Sequence, residues 1–303
     1  MTMKIPKKSA PQVIEELRPG QSIELLKELH ILTREGKLNQ DTRRKLKQVY
    51  HLYQFIEPLL ERAGEGGTTF TLADHGAGKS YLGFILYDLF FNVAHAGQQA
   101  AGHVYGIETR PELVEKSKEL ATRLGFERMS FLNLSVKESA TSPELPGQID
   151  IVTALHACDT ATDDAIAFGL AKEAQHMVLV PCCQAEVAGV LKANRAASLS
   201  KTPLAELWRH PLHAREFGSQ ITNVLRCLQL EASGYNVTVT ELVGWEHSMK
   251  NELILASKPT LTNSFKTNTT KTSAAQNRLQ QVLAELGLGA PGQAALEQRF
   301  AIS

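Results

Sequence analysis

The chain alternates between short apolar runs and longer segments in which apolar residues recur every three or four positions. The short runs predict seven strands, at residues 68–73, 104–108, 129–134, 149–155, 177–180, 235–242 and 251–256. Segments 80–94, 111–124 and 162–174 have helical spacing and lie between the earlier strands. Helices of this length indicate right-handed crossovers. We therefore expect an α/β fold with a doubly wound, seven-stranded and mostly parallel sheet that helices cover on both faces.

The last two predicted strands are joined by a segment that is too short to hold a crossover helix. They should therefore pair antiparallel at one edge of the sheet. Residues 185–230, which precede them, have helical spacing and predict a helical insertion before the sixth strand.

Helical segments also flank the strand region. Apolar spacing from Ser22 to about Glu35 predicts a first helix, and a second helix follows Asp41, which we expect to cap it. A glycine-rich break at 64–67 separates this N-terminal extension, residues 1–63, from the main domain, residues 64–258. Residues 259–303 are predicted to form a polar linker and then a helix from about residue 274 to 286.

Composition is that of a soluble globular protein. Of the 303 residues, 43% are hydrophobic and 21% are charged, and 32 Lys and Arg balance 32 Asp and Glu. Zero net charge gives no attraction of the whole chain to a polyanion, so any nucleic-acid surface must be local. Residues 1–50 contain eleven Lys and Arg but only six Asp and Glu, a local excess of five positive charges. This excess is either a solvated helix face or a surface that meets phosphate groups.

Two groups of basic residues are candidates for such a surface. The first group lies in the second predicted helix and comprises Arg43, Arg44, Lys45 and Lys47. The second lies in the insertion and comprises Arg195, Lys201, Arg209 and Arg215; Lys192 and Arg226 are further basic residues of the insertion. If the two groups line opposite rims of one pocket, a duplex or stem-loop RNA would fit between them.

Leader and membrane segments are not recognisable in the sequence. The basic start of the chain is not followed by an apolar run, and no stretch approaches the ~20 apolar residues of a membrane-spanning helix. Four cysteines, two of them adjacent, do not suggest a disulfide framework in a chain of this length. We expect a cytoplasmic protein with reduced thiols and no membrane partner, and its oligomeric state stays unknown.

A glycine-containing segment, D-H-G-A-G-K-S at 74–80, connects the first predicted strand to the first crossover helix. Glycines at such a turn let a ligand approach the backbone close to the free N–H groups of the helix start. A phosphate-binding P-loop also needs a glycine at position 73, which is Ala73. A dinucleotide fold needs one at position 81, which is Tyr81, and an acid about 20 residues further on. The sequence fits neither pattern.

Asp74, directly before the glycines, points to a third class of ligand. A carboxylate repels phosphate but accepts hydrogen bonds from a cationic amino-acid group. The order of Asp74, G-x-G and the acid Glu108 at the end of the second strand resembles class I S-adenosylmethionine-dependent methyltransferases. This resemblance implies a Rossmann-like methyltransferase fold and S-adenosylmethionine as the cofactor. It also implies cofactor contacts from Asp74, Gly76, Gly78, Glu108 at the ribose hydroxyls, Ser135 near the adenine, and His156.

Further segments resemble a narrower group. L-H-A-C at 155–158 with T-D at 162–163 is similar to the L-H-x-C-G-x-x-[TS]-D segment of methyltransferase-like proteins and to the K-H-L-C-G-x-x-T-D segment of tRNA ribose 2′-O-methyltransferases. D-x-G-x-G-K at 74–79 and P-C-C at 181–183 also resemble motifs of this group. Asp159 stands where both families have glycine. The resemblance covers about residues 47–258 and implies structured RNA, rRNA or tRNA, as the substrate. A small-molecule methyltransferase and a non-catalytic cofactor- or RNA-binding module are the alternatives.

The candidate residues follow strands whose carboxyl ends meet at one edge of a doubly wound sheet. Methyl transfer from a sulfonium is an in-line displacement that needs positioning and, for an oxygen or nitrogen acceptor, one base. His156 and Asp159 are the candidate bases. The alternative for His156 is a ring that packs against the strand end and donates to a backbone carbonyl.

Cys182 and Cys183 admit three interpretations. They are buried packing residues, or they form a zinc site with His156 and Cys158, or one of them acts on a pyrimidine carbon. Adjacent cysteines fit a tetrahedron poorly and no C-x₂-C spacing is present, so we predict no metal. RNA cytosine-5 methyltransferases keep cysteines after strands four and five, which makes Cys182 a candidate nucleophile.

Overall fold

A central sheet organises the protein, which we describe from a computed structural model. The structure describes residues 16–97, 101–155, 159–181, 184–193, 203–242, 252–259, 265–288, 296 and 299–301. The described residues contain seven strands: β1 Phe70–His75, β2 Gly102–Glu108, β3 Met129–Asn133, β4 Ile151–Leu155, β5 His176–Val180, β6 Asn236–Glu241 and β7 Glu252–Ser257.

The strands are ordered β3-β2-β1-β4-β5-β7-β6 in one sheet. The first five strands pair in parallel, whereas β7 is antiparallel to both β5 and β6. The predicted α/β class, the mostly parallel sheet and the antiparallel edge pair are therefore confirmed. Successive crossovers leave β1 in opposite directions, and ligands of such sheets bind beyond the carboxyl ends of the strands at this reversal.

Helices cover both faces of the sheet. Their bounds are α1 Ile23–Glu28, α2 Gln40–Ala63, α3 Tyr81–Tyr87, α4 Pro111–Leu124, α5 Val136–Thr141, α6 Ala161–Ala171, α7 Glu186–Ala193, α8 Pro211–Ala232 and α9 Phe265–Glu285. A π-helical segment, Asp88–Ala94, continues α3, and short 3₁₀ turns lie at Glu65–Gly67 and Pro203–Trp208. None of the helices among these described residues is long and apolar enough to span a membrane.

Alternate strand residues divide the core between the two faces. Leu72 and Ile151 point into the layer formed by α1 to α4, whereas Ala73 and Val152 point into the layer that contains α6. A third apolar cluster joins α7, α8 and α9, with Leu225 and Leu279 both fully buried in it. The C-terminal helix therefore packs onto the helical insertion.

The start of the chain differs from the sequence-based prediction in two details. The first helix ends at Glu28 and not near residue 35, because His30 has a left-handed φ of 55° and the chain turns back. The second helix is capped by Asn39 and not by Asp41. The Asn39 side chain accepts from the Thr42 N–H, and the Thr42 hydroxyl accepts from the Asn39 N–H, which is a reciprocal capping box.

The C-terminal region also differs from the prediction. Helix α9 begins at Phe265, so part of the predicted polar linker is helical. Thr and Lys predominate there, but neither Gly nor Pro interrupts the segment, and a helix that is held by packing further along extends at low cost. The short helix α5 was not predicted, whereas the insertion is helical as expected, in α7 and α8.

Gly102 has a conformation that other residues can adopt, yet it has no room for a side chain. The Phe70 ring of the neighbouring strand lies across its Cα, and Phe70 is only 1% exposed. We expect Gly102→Ala to lower the free energy of unfolding by about 1–3 kcal/mol through overpacking. Gly189→Ala provides the control, because a Cβ at Gly189 in α7 meets open space and should add about 0.5–1 kcal/mol. Urea denaturation measures both changes, and a tolerated Gly102→Ala would contradict the described packing.

Candidate functional site

The carboxyl ends of β1 and β2 are tied together by the glycine turn. Gly76 and Gly78 have φ values of 68° and 58°, a region that favours glycine. The Ala77 N–H donates to the carbonyl of Ile107 at 3.0 Å, and the Gly78 N–H donates to Glu108 Oε2 at 2.8 Å. The turn is thereby fixed against the end of β2.

Ser80 ends this turn with an unusual backbone. Its φ is 50°, in the left-handed region that non-glycine residues rarely adopt. Its hydroxyl is fully buried and forms no hydrogen bond. Such a conformation costs of order 1 kcal/mol in a non-glycine residue, so the chain retains strain next to the turn.

The Glu108 carboxylate accepts several hydrogen bonds. Besides Gly78, it accepts from the Arg110 N–H at 3.0 Å, from Arg110 Nε at 3.0 Å and from Arg110 Nη2 at 3.1 Å. Burial alone would raise its pKa, but the hydrogen bonds from Arg110 and the backbone prevail and lower the pKa to about 2. Glu108 is therefore ionised at all physiological pH values.

Asp74 lies beneath the start of α3. Only 2% of it is exposed, and it accepts from the Thr153 hydroxyl at 3.0 Å and from the Gly83 N–H. Burial raises its pKa to about 7 despite these two hydrogen bonds. The neighbouring His75 is also buried, and burial lowers its pKa to about 4. Neither ring nitrogen of His75 has a hydrogen-bond partner.

Ser135 follows β3 and caps α5. Its hydroxyl accepts from the Glu138 N–H at 3.4 Å, and its own N–H donates to Glu138 Oε2 at 2.8 Å. Asn133, two residues earlier, donates to the backbone carbonyl of Glu108 at 3.0 Å. The structure thus brings the end of β3 next to Glu108, where the sequence predicts the adenine contact.

Asp159 follows β4. Its φ is 50°, in the left-handed region that favours glycine, and Asp is one of the residues that tolerate it. Asp159 Oδ1 accepts from the N–H groups of Ala185 at 2.9 Å and Glu186 at 3.3 Å. The side chain thus holds the start of α7, which is a structural contact that the predicted role as a base does not include.

The remaining predicted catalytic residues lie outside the described residues. These are His156 and Cys182, together with Cys158 and Cys183. In the ranges that the structure describes, no group of three His, Cys, Asp or Glu residues is arranged to hold a metal ion.

Sequence analysis missed a buried polar cluster at this end of the sheet. Arg226, one of the basic residues of the insertion, is 0% exposed and forms an ion pair with Asp163 at 2.7 Å. A signal was present in the sequence, because Arg226 lies three residues after Asn223 and four before Leu230, on the buried face of α8.

Residues 44–190 match a family model described as a methyltransferase domain. The match runs from α2 to α7 and includes Asp74, the glycine turn, Glu108 and Asp159. The prediction of an S-adenosylmethionine-dependent methyltransferase is confirmed for the enzyme class and its cofactor.

Solved methyltransferases resemble the chain at low sequence identity. A putative O-methyltransferase from Klebsiella pneumoniae has 13% identity and a TM-score of 0.47, over 82% of this chain and 94% of that one. The magnesium protoporphyrin IX methyltransferase from Synechocystis, with bound S-adenosylhomocysteine, has 15% identity and a TM-score of 0.42, over 77% and 94%. An rRNA methylase from Streptococcus thermophilus has 8% identity and a TM-score of 0.42, over 68% and 95%. No curated protein matches the chain.

The described residues of the methyltransferase domain fit the cofactor. The Glu108 carboxylate accepts hydrogen bonds, as binding of two ribose hydroxyls requires, and lies beside glycines that leave the backbone accessible. Five donors contact that carboxylate: the Gly78 N–H, the Thr109 hydroxyl and three N–H groups of Arg110. Because the Arg110 side chain is 59% exposed, hydroxyl donors can replace it without burying its charge.

The raised pKa of Asp74 predicts a pH dependence of stability. Between pH 4 and 7 the native state keeps a proton that the unfolded state has lost, so this residue lowers the free energy of unfolding by about 1.4 kcal/mol per pH unit as the pH rises. His75 acts in the opposite direction between its lowered pKa and its ordinary one.

Asp74→Asn removes the pH dependence of stability that Asp74 contributes and leaves that of His75. We expect the stability difference between parent and variant to change by about 2–3 kcal/mol between pH 5 and pH 7, in favour of the variant at the higher pH. Chemical denaturation of both proteins at each pH measures this difference. A difference that does not vary with pH would mean that Asp74 is ionised in the native protein.

Proposed function

We propose that this methyltransferase transfers the methyl group of S-adenosylmethionine to structured RNA, either rRNA or tRNA. The observation that supports an RNA substrate is a group of four basic residues on the first two turns of α2. The resemblance of the segments around 155–163 and 181–183 to tRNA ribose 2′-O-methyltransferases supports the same class of acceptor.

The charged surface lies on the first two turns of α2. Arg43 pairs with Glu16 at 2.8 Å and Arg44 approaches Asp41 at 3.8 Å, so two of its four cations have acidic partners. Lys45 and Lys47 are exposed, and the described residues offer them no ion pair. A helix gains nothing from cations near its N-terminus, so helix stability does not explain these lysines. Contact with a phosphate-bearing partner would explain them.

The second predicted basic surface contributes less. Arg209 pairs with Glu206 at 3.2 Å and Arg215 pairs with Glu216 at 2.9 Å, while Arg226 is buried. We therefore assign RNA binding to α2 in the first place.

Cofactor binding is the task of the β1 and β2 ends. The glycine turn supplies accessible backbone, and the ionised Glu108 accepts the ribose hydroxyls when the Arg110 donors turn away. Bound S-adenosylmethionine supplies a methyl group activated by its sulfonium. Ser135 marks the adenine side of the site, since it follows the strand next to β2.

The acceptor side is formed by the segments after β4 and β5. Because Asp159 holds the start of α7 through two hydrogen bonds, His156 becomes the principal candidate for the base. Cys182 stays the candidate nucleophile if the acceptor is a pyrimidine carbon.

Glu108→Ala tests the cofactor assignment. We expect it to weaken binding of S-adenosylhomocysteine by about 1–3 kcal/mol, because two hydroxyls lose a charged acceptor. Glu112→Ala serves as the control, since Glu112 is an exposed acid in the first turn of α4. Calorimetry measures both affinities. Equal affinity of Glu108→Ala and the parent, or binding of Mg²⁺-ATP without any response to S-adenosylhomocysteine, would refute the assignment.

Charge reversal on α2 tests the RNA assignment. Lys45→Glu with Lys47→Glu should weaken RNA binding and reduce the salt dependence, since each lost phosphate contact removes about 0.7–0.9 from the slope of log K against log salt. Affinity for S-adenosylhomocysteine should stay unchanged. The matched control reverses two exposed lysines of α4, Lys116 and Lys118.

Transfer of labelled methyl to total RNA from a strain that lacks the protein, followed by nucleoside analysis, measures the activity. If the α2 variant methylates RNA as well as the parent, the lysines are a solvated helix face. Transfer to small molecules but not to RNA would favour a small-molecule methyltransferase, and cofactor binding without any transfer would favour a binding module.

A further inference from the structure

Arg226 is a fully buried cation that connects four segments at the acceptor end of the sheet. We propose that Arg226 is a positioning residue, which fixes the turns after β4 and β5 in the arrangement that methyl transfer requires. The proposal rests on the proposed function in that it assumes an acceptor at this end. Its contacts, however, are independent of what that acceptor is.

The first connection is to α6. Arg226 Nε donates to Asp163 Oδ1 at 2.7 Å and Nη2 donates to Asp163 Oδ2 at 2.7 Å, a two-pronged ion pair between the planar guanidinium and the carboxylate. Asp163 is the acid of the T-D segment that follows β4. The structure thus gives this motif residue a partner 63 positions away in the chain.

The second connection is to the turn after β4. Arg226 Nη2 also donates to the backbone carbonyl of Asp159 at 2.8 Å. Asp159 has the left-handed backbone described above, and its side chain accepts from the N–H groups of Ala185 and Glu186. Through this one residue, the guanidinium therefore supports both the turn after β4 and the start of α7.

The third connection passes through Asn223. Arg226 Nη1 donates to Asn223 Oδ1 at 3.0 Å, and that oxygen also accepts from Gln184 Nε2 at 2.9 Å. Asn223 Nδ2 donates to Glu252 Oε2 at 2.6 Å, at the first residue of β7. The Ser219 hydroxyl donates to Gln184 Oε1. Asn223 and Gln184 are each 5% exposed, so these bonds are shielded from water.

The members of this cluster adjoin the predicted acceptor segments in sequence. Asp159 follows the segment 156–158, Gln184 follows 182–183, and Glu252 follows the loop that ends at 251. A covalently adjacent residue that is held by several hydrogen bonds restricts where such a segment can begin or end. The cluster therefore fixes the described flanking residues Asp159, Gln184 and Glu252 relative to one another.

Stability alone does not account for a buried ion pair of this kind. Removing two charges from water is costly, and apolar pairs of similar volume are often equally stable or more stable. Loss of one partner is destabilising, because the other charge is left buried and unpaired. If an apolar pair could give the same stability, the benefit of the charged cluster lies elsewhere. Its directional hydrogen bonds fix the relative positions of the residues that they join.

A pair of variants separates the two roles. Arg226→Met should be destabilised by the unpaired Asp163, whereas Arg226→Met with Asp163→Leu should recover most of the melting temperature. In the double variant we expect hydrogen exchange at the start of α7, residues 185–189, to rise at least tenfold. We also expect kcat for RNA methylation to fall at least tenfold, with less than a twofold change in S-adenosylhomocysteine affinity.

Gln220→Met, on the exposed face of the same helix, is the matched control and should change none of these values. A double variant that keeps the parent's exchange rates and kcat would overturn the proposal and make the pair merely structural. If the parent itself does not methylate RNA, the proposed function fails, while the exchange at residues 185–189 still decides whether Arg226 positions the turns.

Discussion

The hydrogen bond from the Gly78 N–H to Glu108 fixes the cofactor end of this protein, because it links the first turn of the fold to the end of the second strand. The turn carries the left-handed backbone that only glycine adopts freely, and the carboxylate carries the charge. With these two ends joined, α3 must begin directly over Asp74, which explains why that acid is buried and receives the Gly83 N–H. The neighbouring strands then bring Ser135 and Asp159 to the same edge of the sheet.

Most strands were predictable because parallel strands covered on both faces are continuous apolar runs. The cap of α2 was not predictable from the sequence. Asn39 and Asp41 are both good capping residues, and only the position of Thr42 favours Asn39. The start of α9 was not predictable either. The composition of this polar segment suggests a linker, but the packing of α9 against α8 extends the helix into it. These errors arise where tertiary contacts, and not local preference, decide the outcome.

Sequence patterns indicate candidate site residues where these directly end a strand, as the D-x-G-x-G turn and Glu108 do. They do not indicate partners that are remote in the chain. The ion pair of Arg226 with Asp163 joins residues 63 positions apart, and no local pattern shows their pairing. The φ of 50° at Asp159 is likewise not visible in the sequence, although Asp is one of the residues that tolerate it.

The protonation states of the adjacent Asp74 and His75 affect how strongly this end of the sheet attracts a charged ligand from solution. In the sequence they resemble a charged pair, but between pH 4 and 7 burial keeps Asp74 mostly protonated and His75 mostly neutral. Glu108 is ionised, yet the guanidinium of Arg110 lies against it. These four residues therefore contribute little net field to the solution, and they offer little long-range electrostatic steering of a charged ligand. Any dependence of the association rate on ionic strength should then come from other charges beside the turn, such as the exposed Lys79.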